Sequence, residues 1–290
     1  MLHGRGSPRT HPRHHGGQAV TNSPYDIAWC PGCGNFAIRT ALAEALNELD
    51  MPPQQIVLTS GIGQGAKMPQ YLETNYFNGL HGRSVPLAVG IKLARPDLTV
   101  IAVSGDGCMY GEGGNHFLHT IRKNLDITIL ITNNQVYGLT KGQSSPTTDR
   151  GVKNPLDPQG NPNEPLSPLV LALAMGAPFV ARGFAKEKDH LKELIKAAIR
   201  FEGTAVVDIL QPCVSFNKIN TYQWYGERVY QVEPTADRFE AIRTAESWQD
   251  KIAIGILFRD EKHPVRNVRD LFPRHTERED VERLLHLYHA

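Results

Sequence analysis

Gly105-Asp106-Gly107, answered one helix and one strand later by Asn133-Asn134, is a pattern of oxygen ligands set among glycines. A carboxylate, an amide oxygen and a backbone carbonyl just beyond the second pair make an incomplete shell. Mg²⁺ accepts such a shell when a diphosphate supplies the remaining oxygens. Glycines beside the carboxylate let the main chain approach phosphate oxygens, and a helix opening there offers its N-terminal N–H groups. Taken alone the tripeptide reads as a tight turn; the Asn pair at the end of the next strand makes it a candidate site. A second group is Cys30-Pro31-Gly32-Cys33, whose two thiols have the spacing used by zinc sites, iron–sulfur clusters and redox pairs. No second Cys-x-x-Cys completes a four-thiolate zinc site, and the stretch from Thr21 to Trp29 makes a poor strand for a thioredoxin-type redox motif. Cys213 lies just past another apolar run, where it can reach a strand-end site or be an ordinary buried thiol.

The elements that must position these residues follow from apolar patterning. Thr99 to Ser104 is a short apolar run that stops at the glycine turn. Gly113 to Asn124 has helical length with Phe117, Leu118 and Ile121 on one side, and Ile127 to Thr132 is a second β-branched run. This is a βαβ unit with parallel strands and a right-handed crossover, so both carboxyl ends sit side by side and Asp106 and Asn134 face one crevice. Elsewhere a helix is expected over Asn35 to Leu49, with Asn35 as its cap, and a strand over Gln55 to Thr59 running into the loop Gly61-Ile62-Gly63-Gln64-Gly65. Ser84 to Ala94 reads as a helix, and Gly138 to Pro168 as a long active-site loop. Leu169 to Met175 (helix), Pro178 to Ala181 (strand), Lys186 to Phe201 (helix) and Thr204 to Leu210 (strand) complete a doubly wound, mainly parallel α/β domain. The expected organisation is a disordered leader over 1–20, the α/β domain over 21–231, and an irregular, partner-contacting extension over 232–290.

Composition removes several classes. With 31 Lys plus Arg against 30 Asp plus Glu, nothing favours a nucleic-acid partner or an electrostatic membrane contact. No apolar stretch reaches the roughly 18 residues needed to span a bilayer, so the expectation is a cytoplasmic protein. The Met1 to Gln18 leader, with His3, His11, His14 and His15, lacks the apolar core of a signal peptide. Four cysteines in a chain of 290 residues point to metal or redox use rather than structural disulfides.

Several short motifs occur in one order: Trp29-Cys30-Pro31-Gly32-Cys33-Gly34-Asn35, Ser60-Gly61-Ile62-Gly63, Leu80-His81-Gly82-Arg83, the Gly105 to Asn134 pattern, Tyr137-Gly138-Leu139-Thr140-Lys141-Gly142-Gln143 and Pro212-Cys213-Val214. Together, over about residues 25 to 230, they resemble the β subunit of 2-oxoacid:ferredoxin oxidoreductases, and the central pattern is similar to the diphosphate signature of thiamine diphosphate enzymes. The resemblance implies oxidative decarboxylation of a 2-oxo acid with coenzyme A to acyl-CoA and CO₂, with electrons passed to ferredoxin. It implies Mg²⁺ on Asp106, Asn134 and the Val136 carbonyl, and thiamine diphosphate against Gly105, Asp106, Gly107, Asn134, Gly138 and Leu139. Lys67, His81, Arg83, Leu139 and Lys141 would lie near cofactor and substrate. A 4Fe-4S cluster would use Cys30, Cys33 and Cys213. The family's fourth cysteine falls at Gln64, an amide that is a poor iron ligand, so the fourth ligand is unassigned. Cys108, the remaining thiol, reads as a packed or pocket-lining residue, and Glu112 as a favourable charge at a helix N-terminus. The glutamate that activates the aminopyrimidine is expected from a larger α subunit, because this chain has length for only one such layer. Gln64 gives weight to the rival reading, a thiamine diphosphate subunit of a non-oxidative 2-oxo acid decarboxylase. From a different class, a structural or regulatory protein would use the Cys-x-x-Cys for zinc and the Gly-Asp-Gly only as a turn.

Overall fold

Seven-residue apolar runs rich in β-branched side chains fit strands covered on both faces, and the computed structural model places them so; it describes residues 19–262 and Val265. The strands are β1 (Ile56–Ser60), β2 (Asn75–Asn78), β3 (Thr99–Gly105), β4 (Ile127–Asn133), β5 (Val136–Tyr137), β6 (Gln143–Ser144), β7 (Phe179–Phe184), β8 (Thr204–Leu210), β9 (Val229–Gln231) and β10 (Ile252–Arg259). The helices are α1 (Asn35–Glu48), α2 (Ser84–Ala94), α3 (Gly114–Lys123), α4 (Pro168–Ala174), α5 (Lys188–Arg200), α6 (Tyr222–Gly226) and α7 (Arg238–Glu246). Eight strands form one sheet in the order β2-β1-β3-β4-β8-β7-β10-β9. Its pairings are parallel except that of β10 with β7, and β5 and β6 form a separate antiparallel pair.

Alternation along β3 shows how the sheet is sandwiched. Ile101 and Val103 join Leu42, Leu46, Leu191 and Ile195 of α1 and α5 in one core, while Val100 and Ala102 join Val85, Phe117, Ile121 and Ala241 of α2, α3 and α7 in the other. Ile101 pairs with Thr128 and Gly105 with Thr132 in parallel register, so the Asp106 turn and the Asn133-Asn134 pair leave the sheet side by side.

Two expectations differ from the structure. The chain from 232 onward is not an irregular extension up to Arg259: β10 joins the main sheet beside β7, and α7 packs against α4. Every β10 residue except Ile256 and Arg259 is buried. The charged surroundings of Ile252 to Phe258 hide this strand in sequence, and α7 buries only Ala241 and Ala245, too little for a helical stripe. Asn35 is not a cap: Gly34 holds that position, and Asn35 is the first helical residue, fully buried with both side-chain amide atoms unpartnered. The leader expected over 1–20 lies outside the described residues except for Ala19 and Val20; Val20 is buried and donates its N–H to Asn47 Oδ1 at 2.7 Å. The remainder of the expected extension beyond Lys262, apart from Val265, also lies outside them. Among the described residues no helix is long and apolar enough to cross a membrane.

Candidate functional site

Beyond Gly105 the chain makes a wide π-helical turn, Gly107–Glu112, before α3 begins. A side chain at Gly107 would place its Cβ 2.3 Å from the Tyr137 ring, and one at Gly65 would come within 2.1 Å of Thr132 Oγ1. Only glycine fits against these two side chains where they stand. Asp106 opens the turn with 1% of its surface exposed, and its Oδ2 accepts from Ser145 Oγ at 2.5 Å and Thr147 Oγ1 at 2.7 Å. Burial, aided by the nearby Asp208 charge, pushes the Asp106 carboxyl up to about 6 against the pull of those two hydroxyls.

On the facing strand end, Asn134 Oδ1 accepts the Val136 N–H at 3.1 Å and the Asn134 carbonyl accepts from Asn217 Nδ2 at 3.2 Å. Gln135 between them sits at φ +59, buried, donating to the Thr147 carbonyl at 2.8 Å and accepting from Tyr225 Oη at 2.9 Å. That turn leaves Asn134 and Val136 on the cleft while Gln135 points into protein. The cleft, about 470 Å³ including its open mouth, is bounded by the Ile62 to Gly65 loop, the Gly105 to Cys108 turn, His81, and Asn134 with Val136 to Thr140.

A buried polar chain leads away from this corner, and sequence reasoning missed it. Thr147 Oγ1 lies 2.9 Å from Asn133 Oδ1, and Asn133 Nδ2 donates to Asp208 at 3.2 Å. Tyr110 donates to Asp208 Oδ2 at 2.6 Å. Arg182, paired in register with Asp208 on the next strand, donates to the Ala245 carbonyl at 2.9 Å and the Ala253 carbonyl at 3.3 Å. Burial raises the Asp208 carboxyl while Tyr110 and Arg182 draw it down. No local spacing signals these contacts; the Tyr110–Asp208 bond spans 98 residues.

Of the residues proposed for chemistry, His81 and Leu139 line the cleft with Gly105, Asp106, Gly107, Asn134, Val136 and Gly138. His81 Nδ1 lies 3.0 Å from the Glu112 carboxylate, and Tyr137 Oη lies 3.3 Å from the same group. Glu112 is thus more than a helix-terminal charge; with burial, it pushes the Tyr137 phenol above its usual range. Lys67, Arg83 and Lys141 stand outside the lining. Lys67 is on the turn Gly65–Tyr71, Arg83 donates to the His81 carbonyl at 3.4 Å, and Lys141 occupies the β5–β6 connection at φ +85. Cys108 is buried in the cleft wall, accepting the Gly82 N–H at 3.1 Å.

The other three thiols form a second corner. Gly34 N–H reaches the Pro212 carbonyl at 3.5 Å, tying the Cys-x-x-Cys turn to the Cys213 segment. Burial pushes the Cys33 thiol up to about 11, with Cys213 and Cys30 adding smaller contributions. Cys33 Sγ accepts from Gln211 Nε2 at 3.5 Å and Cys213 Sγ accepts the Phe216 N–H at 3.4 Å. Trp29 Nε1 donates to the Gln64 carbonyl at 2.8 Å, linking this corner to the cleft loop. Among the described residues no three His, Cys, Asp or Glu side chains converge on a single metal ion.

The family model for the thiamine pyrophosphate enzyme C-terminal TPP binding domain matches residues 59–209. The model for the C-terminal part of the pyruvate ferredoxin oxidoreductase β chain matches residues 213–270. The chain belongs to the 2-oxoacid:ferredoxin oxidoreductase β-subunit family. Its relatives in that family include subunit beta of 2-oxoacid:ferredoxin oxidoreductase 1 of Aeropyrum pernix, 45% identical over 79% of this chain and 77% of that protein. They also include the 2-oxoacid:ferredoxin oxidoreductase subunit beta of Saccharolobus solfataricus, 44% identical over 80% of this chain and 82% of that protein. A solved 2-oxoglutarate:ferredoxin oxidoreductase from Magnetococcus marinus, with 2-oxoglutarate, coenzyme A and succinyl-CoA bound, aligns at a TM-score of 0.85. It is 34% identical and the alignment covers 91% of this chain and 94% of that one. As a member of this oxidoreductase family the chain carries its cofactor corner within the TPP-binding match, and β10 falls within the second match.

Proposed function

We propose that this chain is the thiamine diphosphate-binding subunit of a 2-oxoacid:ferredoxin oxidoreductase, active with an α subunit and converting a 2-oxo acid and coenzyme A to acyl-CoA and CO₂. The observation that carries the reading is the buried Asp106 carboxylate beside Asn134 at the paired ends of β3 and β4. Asp106, Asn134 Oδ1 and the Val136 carbonyl would hold Mg²⁺, with the diphosphate against Gly105, Gly107, Gly138 and Leu139. Thiamine diphosphate supplies the electron sink for decarboxylation when bound. The chain's own part is placement: Ser145 and Thr147 orient Asp106, and His81 with Glu112 offers a proton-holding pair on the cleft wall. Lys67, Arg83 and Lys141 would serve substrate from the flanking loops. Exposed Ile62 and Leu139 at the cleft and Leu80 beside it suit coverage by the partner, which would bring the pyrimidine-activating glutamate.

Cys30, Cys33 and Cys213 would hold an iron–sulfur cluster as the electron exit towards ferredoxin. Grouped thiols with N–H donors on two sulfurs, and buried unpartnered amide atoms on Asn35, Gln64 and Gln211, support it. Gln64, where a fourth thiol is wanting, is the observation behind the rival non-oxidative decarboxylase. The test of the cofactor corner is Asp106→Ala in the complex co-expressed with its neighbouring reading frame. It should retain no thiamine diphosphate, assayed by thiochrome fluorescence after denaturation, with the fold intact by circular dichroism. Retention at the wild-type level refutes the placement.

A further inference from the structure

The turn that brings Asn134 and Val136 to the cleft has a conformation its sequence does not favour. Gln135 between them stands at φ +59, a region a residue with a Cβ occupies only when its surroundings hold it there. The holding groups all lie away from the cleft. Gln135 Nε2 donates to the Thr147 carbonyl at 2.8 Å; a carbonyl only accepts, so this contact fixes which end of the amide is nitrogen. Oε1 is the atom that accepts the Tyr225 hydroxyl at 2.9 Å, and the Gln135 carbonyl accepts from Thr148 Oγ1 at 2.6 Å. Tyr225 is itself fixed, buried against Phe184, Trp224 and Trp248 with ring centroids 5.6, 5.0 and 6.3 Å away. A second route closes on the same turn. Gln135 Nε2 lies 3.5 Å from Asp149 Oδ1, and Asn220 Nδ2 donates to Asp149 Oδ2 at 3.3 Å. Asn217 Nδ2 donates to Asn220 Oδ1 at 3.0 Å and to the Asn134 carbonyl at 3.2 Å. The circuit leaves the turn at Gln135 and returns to it at Asn134.

We propose that Gln135 is a positioning residue for the cation, and that the segment 217–225, which clasps it through Tyr225 and the Asn217–Asn220 pair, sets the spacing of the Asn134 and Val136 oxygens and so the choice of metal. The inference rests on the reading of Asp106, Asn134 and Val136 as the cation's ligands. Mg²⁺ demands near-ideal octahedral geometry at about 2.0–2.1 Å, whereas Ca²⁺ accepts irregular shells at about 2.3–2.6 Å. A turn freed from its anchor keeps its oxygens and loses their spacing, so selectivity for the smaller ion is lost before cofactor binding itself. The turn lies within the match to the TPP-binding domain, and the segment 217–225 within the match to the pyruvate ferredoxin oxidoreductase β C-terminal model. The second part of the chain thereby reaches back to shape the metal corner of the first.

The test is titration calorimetry of thiamine diphosphate into the co-expressed complex, stripped of cation by a chelator and then supplied with saturating Mg²⁺ or Ca²⁺. Gln135→Gly keeps the φ of the turn accessible and removes only the anchor, while Tyr225→Phe removes one hydroxyl and leaves the ring in its aromatic packing. The expected result for Gln135→Gly is a cofactor Kd raised about 10–100-fold with Mg²⁺ and far less with Ca²⁺. Tyr225→Phe should shift the ratio of the two Kd values the same way by a smaller factor. General destabilisation lowers both affinities together, so a ratio unchanged in both variants overturns the positioning role; where Gln135→Gly does not fold, the Tyr225→Phe ratio alone decides in the same two directions. Loss of cofactor in Asp106→Ala alongside an unchanged ratio leaves the metal placement standing. Cofactor retained by Asp106→Ala at the wild-type level overturns the placement and this inference with it.

Discussion

Asp106 is a carboxylic acid almost wholly buried. Its carboxyl is pushed up to about 6 from its ordinary 3.8, chiefly by burial. Because the folded-state value lies above the unfolded one, the cation-free protein gains stability from a protonated Asp106 at low pH and loses that gain as pH rises through about 6. On the proposed placement Mg²⁺ binds only the ionised Asp106, so its affinity, measured by titration calorimetry with thiamine diphosphate present, should fall about tenfold per pH unit below 6 and level off above it. Thr147→Val removes the single hydroxyl hydrogen that lies between Asp106 Oδ2 and Asn133 Oδ1; weakening by about 1–3 kcal/mol in the same titration is the expected outcome. Asp106 and Asn134 were legible in sequence because both stand where a strand ends. Ser145, Thr147 and Asp208 were not, since their contacts with this corner join residues 39, 41 and 75 apart and nothing but the fold brings them together.

At the scale of elements, β3, α3 and β4 were readable because each is a long run with one period, and their parallel pairing follows from the crossover. β2 was not, because it is a short edge strand whose Tyr76 and Phe77 are exposed. β10 was obscured by its charged flanks, although it pairs with β7 and closes over Arg182 through the Ala253 carbonyl. A glycine marks its importance: Gly255 adopts φ +130, and a Cβ there would lie 2.7 Å from the Val232 carbonyl oxygen. Gly255→Ala should cost about 1–3 kcal/mol in denaturant unfolding. The same substitution at Gly107, where a Cβ meets the Tyr137 ring, should cost thiamine diphosphate affinity through displacement of the cleft wall, visible as a raised cofactor Kd.

Across the whole molecule, two corners lie on the same side of one sheet: a carboxylate and amide corner at β3 and β4, and a thiol corner beyond β8, joined by the Trp29–Gln64 contact. The doubly wound sheet makes this juxtaposition, since parallel strands bring all their carboxyl ends to one edge. The motifs already carried this layout in their order along the chain. The proposed electron exit at the thiol corner is what would separate an oxidoreductase from a non-oxidative decarboxylase. The most direct measurement is viologen dye reduction by the co-expressed complex, under anaerobic conditions, across a panel of 2-oxo acids with and without coenzyme A. Dye reduction that requires coenzyme A and yields acyl-CoA in proportion is the predicted result; release of CO₂ and aldehyde with no dye reduced would contradict it.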